Sequence, residues 1–410
     1  MTKPLLVLLA LCITIGSFID EASLVATALA VNHSNKNYLA LLYTANMLGA
    51  MTGSRLCAYL LTHLSEQLIV KWLFFVQAVM VLAIYYSQGI GIALMGFGLG
   101  AVGSVLWTAI LSVVPLYCPK DYLDTANKAL QTISNLGAVA GPALVGLIYH
   151  TCGATVLIYL ALASMLAGIG VLFYQHTKPS PTQLLNQAPS THHSTNNSIN
   201  SPPTSQSTSS QHNLTALFGE PSIKKALMPL SVIIVLTSML NVLLVPYVNT
   251  VLGLGAKIYG TTLTMMSLGL LVSPFLVSGL FATLGRVRGA MLGASVMGMA
   301  MILFGVQDFG VQNIAVILVS ALLVGVGNGI INTLMGAFMM HTLGNKSKQL
   351  MPYYVLCLQS CVLMGFGLAI FVDKARIGTV LIMAGGLVVM VGLMGAVVNQ
   401  PISKTHNRHG

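Results

Sequence analysis

Twelve apolar runs, each about 20 residues or longer, follow one another along this chain of 410 residues. They fall at about 4–31, 38–61, 68–87, 90–117, 128–150, 154–174, 227–249, 259–282, 289–306, 314–340, 351–371 and 378–398. A helix rises about 1.5 Å per residue, so about 20 apolar residues cross a hydrocarbon layer of about 30 Å. Inside lipid a backbone must satisfy its own polar groups, which favours helices over isolated strands. The composition leaves no soluble solution. Hydrophobic residues make up 56% of the chain and charged residues 6%, whereas a soluble domain carries about 25% charged. The first run is too long for a signal-peptide core and contains two acids, so it reads as a spanning helix.

A net charge of +10 raises the question of nucleic acid, but the basic residues form no stripe. They cluster at the ends of the runs, where they report topology. With the N-terminus in the cytoplasm, Lys3, Arg55, Lys71, Lys120, Lys128, Lys178, Lys224, Lys225, Arg286, Arg288, Lys346, Lys348, Lys404 and Arg408 fall inside, and only Lys36, Lys257, Lys374 and Arg376 outside. Both termini are therefore expected in the cytoplasm. So is the Ser/Thr/Asn/Pro-rich tract that begins "QHTKPSPTQLLNQ", which has too few large apolar residues to fold. The chain divides into a six-span bundle at 1–174, a flexible linker at 175–222, a second six-span bundle at 223–402 and a tail at 403–410.

No metal site and no cofactor are expected. Cys357 and Cys361 share a helical face, but two thiols alone hold no metal, and His192–His193 in the linker reads as a solvated pair. A G-x-x-x-x-G-K-[ST] loop is missing, so ATP is not the direct energy source, and no segment offers a soluble catalytic domain.

The unusual residues are polar ones at membrane depth. "GSFIDEASLVATALA" (Gly16–Ala30) sets Asp20 and Glu21 in the first span, although the protein has only eight acidic residues. Burying an ionisable group in a membrane costs at least about 2.5 kcal/mol, so such a group marks a pathway by default. Asp20 lies about 22 Å along its helix at 1.5 Å per residue, past the midplane, and is the expected proton carrier. Glu21 is turned by about 100° from it, which predicts that the two do not share one site. Gln131 with Asn135, and Asn328 with Asn332, stand at helical spacing, and Asn46, Asn241 and Gln359 stand singly. These amides are candidates for the cavity wall. Tyr353 and Tyr354 read as interface-belt aromatics, and Arg55 as a side chain that snorkels to the cytoplasmic surface.

Two sets of six spans around a long cytoplasmic loop resemble the major facilitator superfamily. That resemblance implies an all-α membrane fold of two six-helix bundles related by a pseudo-two-fold axis, with a substrate site between them. Span one carries "GSFID" and span seven "TSMLN", placing Ser17/Asp20 and Ser238/Asn241 in similar positions. In span five "GAVAGPALVG" (Gly137, Gly141, Pro142, Gly146) resembles the G-x-x-x-G-P-x-x-x-G pattern of antiporting exporters. Small residues there admit a neighbouring helix and the proline permits a kink. "YLDTANKALQ" and "FIDEASLVATALA" resemble the branch that includes siderophore and macrolide exporters and lysophospholipid transporters. One family element is degenerate. "AYLLTHLSEQLIVK" lacks the Asp–Arg pair of the loop after span two, and "GLFATLGRVRG" keeps Gly279, Arg286 and Arg288 but has Thr283 where an acid is expected.

The resemblance thus implies a monomeric secondary transporter of the inner (plasma) membrane and not an enzyme. It would export a small amphipathic compound, siderophore-like or drug-like, against protons. A lysophospholipid flippase and a nutrient symporter are the alternatives.

Overall fold

In the computed structural model the residues described are 14–27, 36–64, 66–87, 90–118, 120–176, 217–279, 284–310 and 313–399. Among them are twelve helices longer than ten residues. In the first half these are α1 (14–27), α2 (Lys36–His63), α3 (Glu66–Tyr86), α4 (Ile90–Tyr117), α5 (Leu123–Cys152) and α6 (Val156–His176). In the second they are α7 (Pro221–Pro246), α8 (Gly255–Gly279), α9 (Arg286–Val306), α10 (Ile314–Leu343), α11 (Ser347–Ile370) and α12 (Ile377–Val398). Each expected run carries one helix. His192, His193 and most of the expected linker lie outside the described residues.

Among the described residues seven stretches are long and apolar enough by themselves to cross a membrane, and one of these, Ile314–Ile370, contains both α10 and α11. Helices α2 and α5 fall short because they carry polar residues such as Asn46, Ser54, Gln131, Ser134 and Asn135. They can afford fewer apolar residues because their polar faces turn toward protein. Helix α5 begins at Leu123, five residues before its apolar run, since hydropathy reports the part that meets lipid and not the hydrogen-bonded helix. It continues without interruption through Gly141 and Pro142.

The packing repeats under a shift of six helices. Within the halves, α2 lies on α4 as α8 lies on α10, and α3 on α6 as α9 on α12. Between the halves, α5 meets α8 and α10 as α11 meets α2 and α4. This is the contact pattern of two six-helix bundles related by a pseudo-two-fold axis. Close approach at equivalent places supports it. A Cβ on Gly100 of α4 would run into the backbone of Asn46 on α2, and one on Gly325 of α10 into that of Met266 on α8.

Burial is inverted relative to a soluble protein. Phe371 is 87% exposed and Leu166 68%, whereas Ser54, Thr108, Ser112 and Asn127 are fully buried. Large apolar side chains face outward because lipid is their solvent. Tyr353 and Tyr354 depart from the sequence expectation: both are buried near the start of α11, not at an interface. The same helix end is held against the first half, with Ser347 Oγ donating to the Ser112 carbonyl at 2.6 Å. Arg55 is exposed, as a snorkelling side chain requires.

Candidate functional site

A cavity of about 270 Å³ lies beside α1. Helix α1 contributes Ser17, Asp20, Glu21 and Leu24, which are spaced i, i+3, i+4 and i+7 and so form one continuous stripe. Helix α4 contributes Gly100, Gly103, Ser104 and Trp107 with the same spacing. Asn46, Met47 and Ala50 come from α2, Ser134 from α5, and, among the described residues, only Gln359 from the second half. The walls therefore belong almost entirely to the first half.

Asp20 and Glu21 both line this cavity, which corrects the expectation that they serve separate sites. The 100° between them is real, but both positions fall inside the i, i+3, i+4, i+7 stripe, which is broad enough to hold them. Room for Asp20 comes from α4. A Cβ on Gly103 would stand 2.6 Å from Asp20 Oδ2, so a larger residue would collide with the carboxyl group. Asp20 Oδ1 is buried and has no hydrogen-bond partner. No Lys, Arg or His lines the cavity among the described residues. Two carboxyl groups in apolar surroundings without a compensating base are costly, and such cost persists where the groups have work to do.

The remaining walls are held by short polar links. Ser17 Oγ and Ser134 Oγ stand 3.0 Å apart, joining α1 to α5. Ser54 Oγ and Ser104 Oγ stand 2.7 Å apart, joining α2 to α4. Asn46 Nδ2 donates to the Gly96 carbonyl at 3.4 Å. Behind them α1 rests on α5: a Cβ on Gly137 would meet the Thr14 carbonyl at 2.6 Å, and one on Gly141 the Phe18 carbonyl at 2.8 Å. Gly146 lies about two and a half turns beyond Gly137 on the same helix.

The other predicted amides are elsewhere. Asn135 is half-buried and donates from Nδ2 to the Leu270 carbonyl at 3.0 Å, bridging the two halves. Gln131 is buried one turn earlier on α5. Asn332 donates to Asn328 Oδ1 at 3.4 Å along α10. Counted from Gly325, these two occupy the register that Gly103 and Trp107 hold from Gly100, so they are the pseudo-symmetric counterparts of cavity residues. Asn241, the counterpart of Asp20, is exposed.

A second cluster closes the end of the bundle where the 177–216 connection departs. Arg286 at the start of α9 donates from Nε to Asp124 Oδ1 at 3.0 Å and from Nη2 to Asp124 Oδ2 at 2.8 Å. His341 near the end of α10 places Nε2 3.3 Å from Asp124 Oδ1 and 3.0 Å from Arg286 Nη2. Nε2 can donate to the carboxylate or accept from the guanidinium, not both, so the tautomer selects between two arrangements. The hydrogen bond from Arg286 holds the Asp124 carboxyl below its ordinary value of 3.8. Nearby, Asn127 Nδ2 donates to the Thr333 carbonyl at 2.6 Å and Lys128 Nζ to Ser278 Oγ at 3.2 Å. The links made by Asp124, Asn127 and Lys128 cross from the first half to the second, while the Arg286–His341 contact lies within the second. Sequence reasoning missed Asp124 as a partner, although it stands inside the segment that carries the family resemblance.

This geometry of a paired bundle with a cavity in the membrane and polar links across one end agrees with the family comparison. The Major Facilitator Superfamily profile matches residues 6–360. The chain belongs to the major facilitator superfamily. Members of the superfamily are membrane transporters, so a transport role at the coarse level follows from membership. Among curated protein sequences none matches this chain.

Solved superfamily structures share its fold. The human organic anion transporter MFSD10 (TETRAN) matches with a TM-score of 0.70 at 10% identity, over 95% of this chain and 99% of that one. The proton:xylose symporter XylE, bound to 6-bromo-6-deoxy-D-glucose, matches with 0.66 at 13% identity, over 96% of each chain. A bacterial homologue of the iron transporter ferroportin, in an outward-facing state, matches with 0.63 at 16% identity, over 95% of this chain and 99% of that one. At these identities the likeness is one of superfamily fold.

Proposed function

We propose that this chain is a proton-coupled exporter that moves a small amphipathic compound out of the cell by alternating access. It would sit in the inner (plasma) membrane as a monomer, with both termini and the 175–222 linker in the cytoplasm. The observation that carries this reading is the cavity at α1, where Asp20 stands beside Glu21 with an unpartnered carboxyl oxygen and no base. A carboxyl in that position can load a proton from one side and release it to the other. Asp20 is the proton carrier in this reading and Glu21 assists it.

The polar links from Asp124, Asn127, Lys128 and Ser347 across one end favour an arrangement closed toward the cytoplasm and accessible from outside. Gln131, Asn135, Asn328 and Asn332 then lie along the interface that rearranges when the closed end opens. The GAVAGPALVG segment supports the same reading by keeping α1 and α5 in close contact. A volume of about 270 Å³ sits at the lower limit of small-molecule pockets, about 300–1,000 Å³, which favours a compact compound over a lysophospholipid.

The test is proton movement in reconstituted vesicles. Substrate added on the side opposite to a proton gradient should draw protons across with the wild-type chain, and Asp20→Asn should stop that flux while the protein still reconstitutes. Unchanged coupling in Asp20→Asn would remove Asp20 from the mechanism. Substrate and protons moving in the same direction would establish a symporter instead.

A further inference from the structure

We propose that the α1 cavity takes a small organic cation, an ammonium or amidinium group on an apolar body, and that this cation and protons are alternative occupants of the Asp20–Glu21 pair. The proposal rests on the reading of this cavity as the transport site, and adds to it the charge of the substrate.

Among the described residues Asp20 and Glu21 are the charged members of the lining. Charge compensation must therefore come from what enters. A proton on one carboxyl supplies part of it, and a cation in contact with both supplies it without a protein base. Asp20 lines the cavity and its Oδ1 is buried and unpartnered, so the protein supplies no donor to that carboxyl oxygen. Gly103 leaves room for the carboxyl on the α4 side, because a Cβ there would stand 2.6 Å from Asp20 Oδ2.

The rest of the wall fits the body of such a molecule. Trp107, the side-chain type that attracts cations most strongly, is part of the lining. Leu24, Met47 and Ile110 supply apolar surface, and Gln359 supplies an amide from the opposite half. The titratable group facing the pair from another helix is Tyr43 of α2, within electrostatic reach of Glu21. A phenol neither compensates two carboxylates nor repels a cation. An anionic compound would meet two acids and no base, which disfavours the siderophore-like alternative within the proposed substrate class.

Competition follows from geometry. When both carboxyls are ionised the cavity binds the cation, and when they are protonated the attraction is lost and the cation leaves. Exchange of a cation for protons then needs no link beyond these two side chains.

The test uses the cavity's own tryptophan. The chain has two, and Trp72 is exposed on α3, away from the cavity. In a Trp72→Phe background, Trp107 fluorescence is titrated with phenyltrimethylammonium, with its neutral isostere tert-butylbenzene and with the anion benzenesulfonate. At about pH 8 the ammonium should bind at least about ten-fold more tightly than either comparison compound, and it should weaken by at least about ten-fold once the pH is low enough to protonate both carboxyls. Asp20→Asn and Glu21→Gln should each weaken the ammonium and flatten its pH dependence. Their binding of tert-butylbenzene should be unchanged, which shows an intact cavity. Equal binding of benzenesulfonate, no binding of the ammonium, or wild-type ammonium affinity in both variants would overturn the proposal. If the cation fails yet another compound still exchanges for protons, the exporter reading stands and only the substrate class falls.

Discussion

Arg286 and Asp124, 162 positions apart in the chain, meet in a two-pronged ion pair that joins the start of α9 to the start of α5. The segment leading into α9 keeps Arg286 and Arg288 without an acid of its own, and Arg286 pairs with an acid of the other half. The pair is about 40% exposed, 37% at Arg286 and 43% at Asp124, so it acts as a bias and not as a lock. Exposed pairs contribute about 0–1 kcal/mol, or at most about a five-fold shift in a two-state population. Arg286→Lys keeps the charge and loses the second prong. A cysteine placed at cavity position Ser134, in a chain without native cysteines, should react about two- to five-fold faster from the linker side in that variant. The same rate in Arg286→Lys, Asp124→Asn and wild type would show that the pair does not bias the closed end.

The pH behaviour of that bias follows from the direction of one shift. Arg286 lowers the Asp124 carboxyl below 3.8 when the end is closed. A lowered acid contributes its stabilisation in full above its free value and loses it as pH falls through the lowered one. Between about pH 5 and pH 8 the Asp124 contribution is therefore constant. The labelling difference between Asp124→Asn and wild type should stay flat across that range, apart from any change carried by His341 Nε2. Replacing His341 with Gln should leave the difference flat throughout. A difference that grows with pH in His341→Gln would contradict this assignment.

Gln359 is the cavity's contact with the second half. Losing one neutral hydrogen bond costs about 0.5–1.5 kcal/mol, so Gln359→Ala should raise the KM for transport by about two- to ten-fold. Protons moved per substrate should not change, because both carboxyls stay on α1. A changed stoichiometry with an unchanged KM would place Gln359 in coupling and not in binding.

How far the sequence carried this picture depends on which force each feature reports. The twelve helices were legible because hydropathy over about 20 residues records lipid contact directly. Asp20 and Glu21 stood out for the same reason, as ionisable groups inside apolar runs. Their sharing of one cavity was not legible from the 100° turn alone. It needs α4 opposite, where Gly100, Gly103, Ser104 and Trp107 repeat the spacing of the α1 stripe. That repeat is visible in "GLGAVGSVLW", but small residues in a membrane helix also serve ordinary packing, so only the neighbour distinguishes the two uses. The Asp124–Arg286 pair was hidden because it joins residues from different halves, and spacing along one helix says nothing about partners across an interface. Tyr353 and Tyr354 misled for a related reason. An aromatic pair at a helix start suits a membrane interface, yet the start of α11 is covered by the first half.

Two glycines separate the roles of packing and site. A Cβ on Gly137 of α5 would sit 2.6 Å from the Thr14 carbonyl and 3.0 Å from the Phe18 amide nitrogen, both backbone atoms. Backbone cannot yield without moving α1, so Gly137→Ala should destabilise the fold by about 1–3 kcal/mol, as overpacking does. A Cβ on Gly103 meets the carboxyl group of Asp20, the end of a side chain that can rotate. Gly103→Ala should therefore leave thermal stability within about 1 kcal/mol of wild type while it turns the Asp20 carboxyl away from its place in the cavity. Proton-coupled transport should fall by at least about ten-fold in Gly103→Ala, which corresponds to about 1.4 kcal/mol in the coupled step. The two measurements, a melting curve in detergent and proton flux in vesicles, should rank the variants in opposite orders. A Gly103→Ala protein that transports like wild type would mean that Asp20 does not need the space α4 leaves for it.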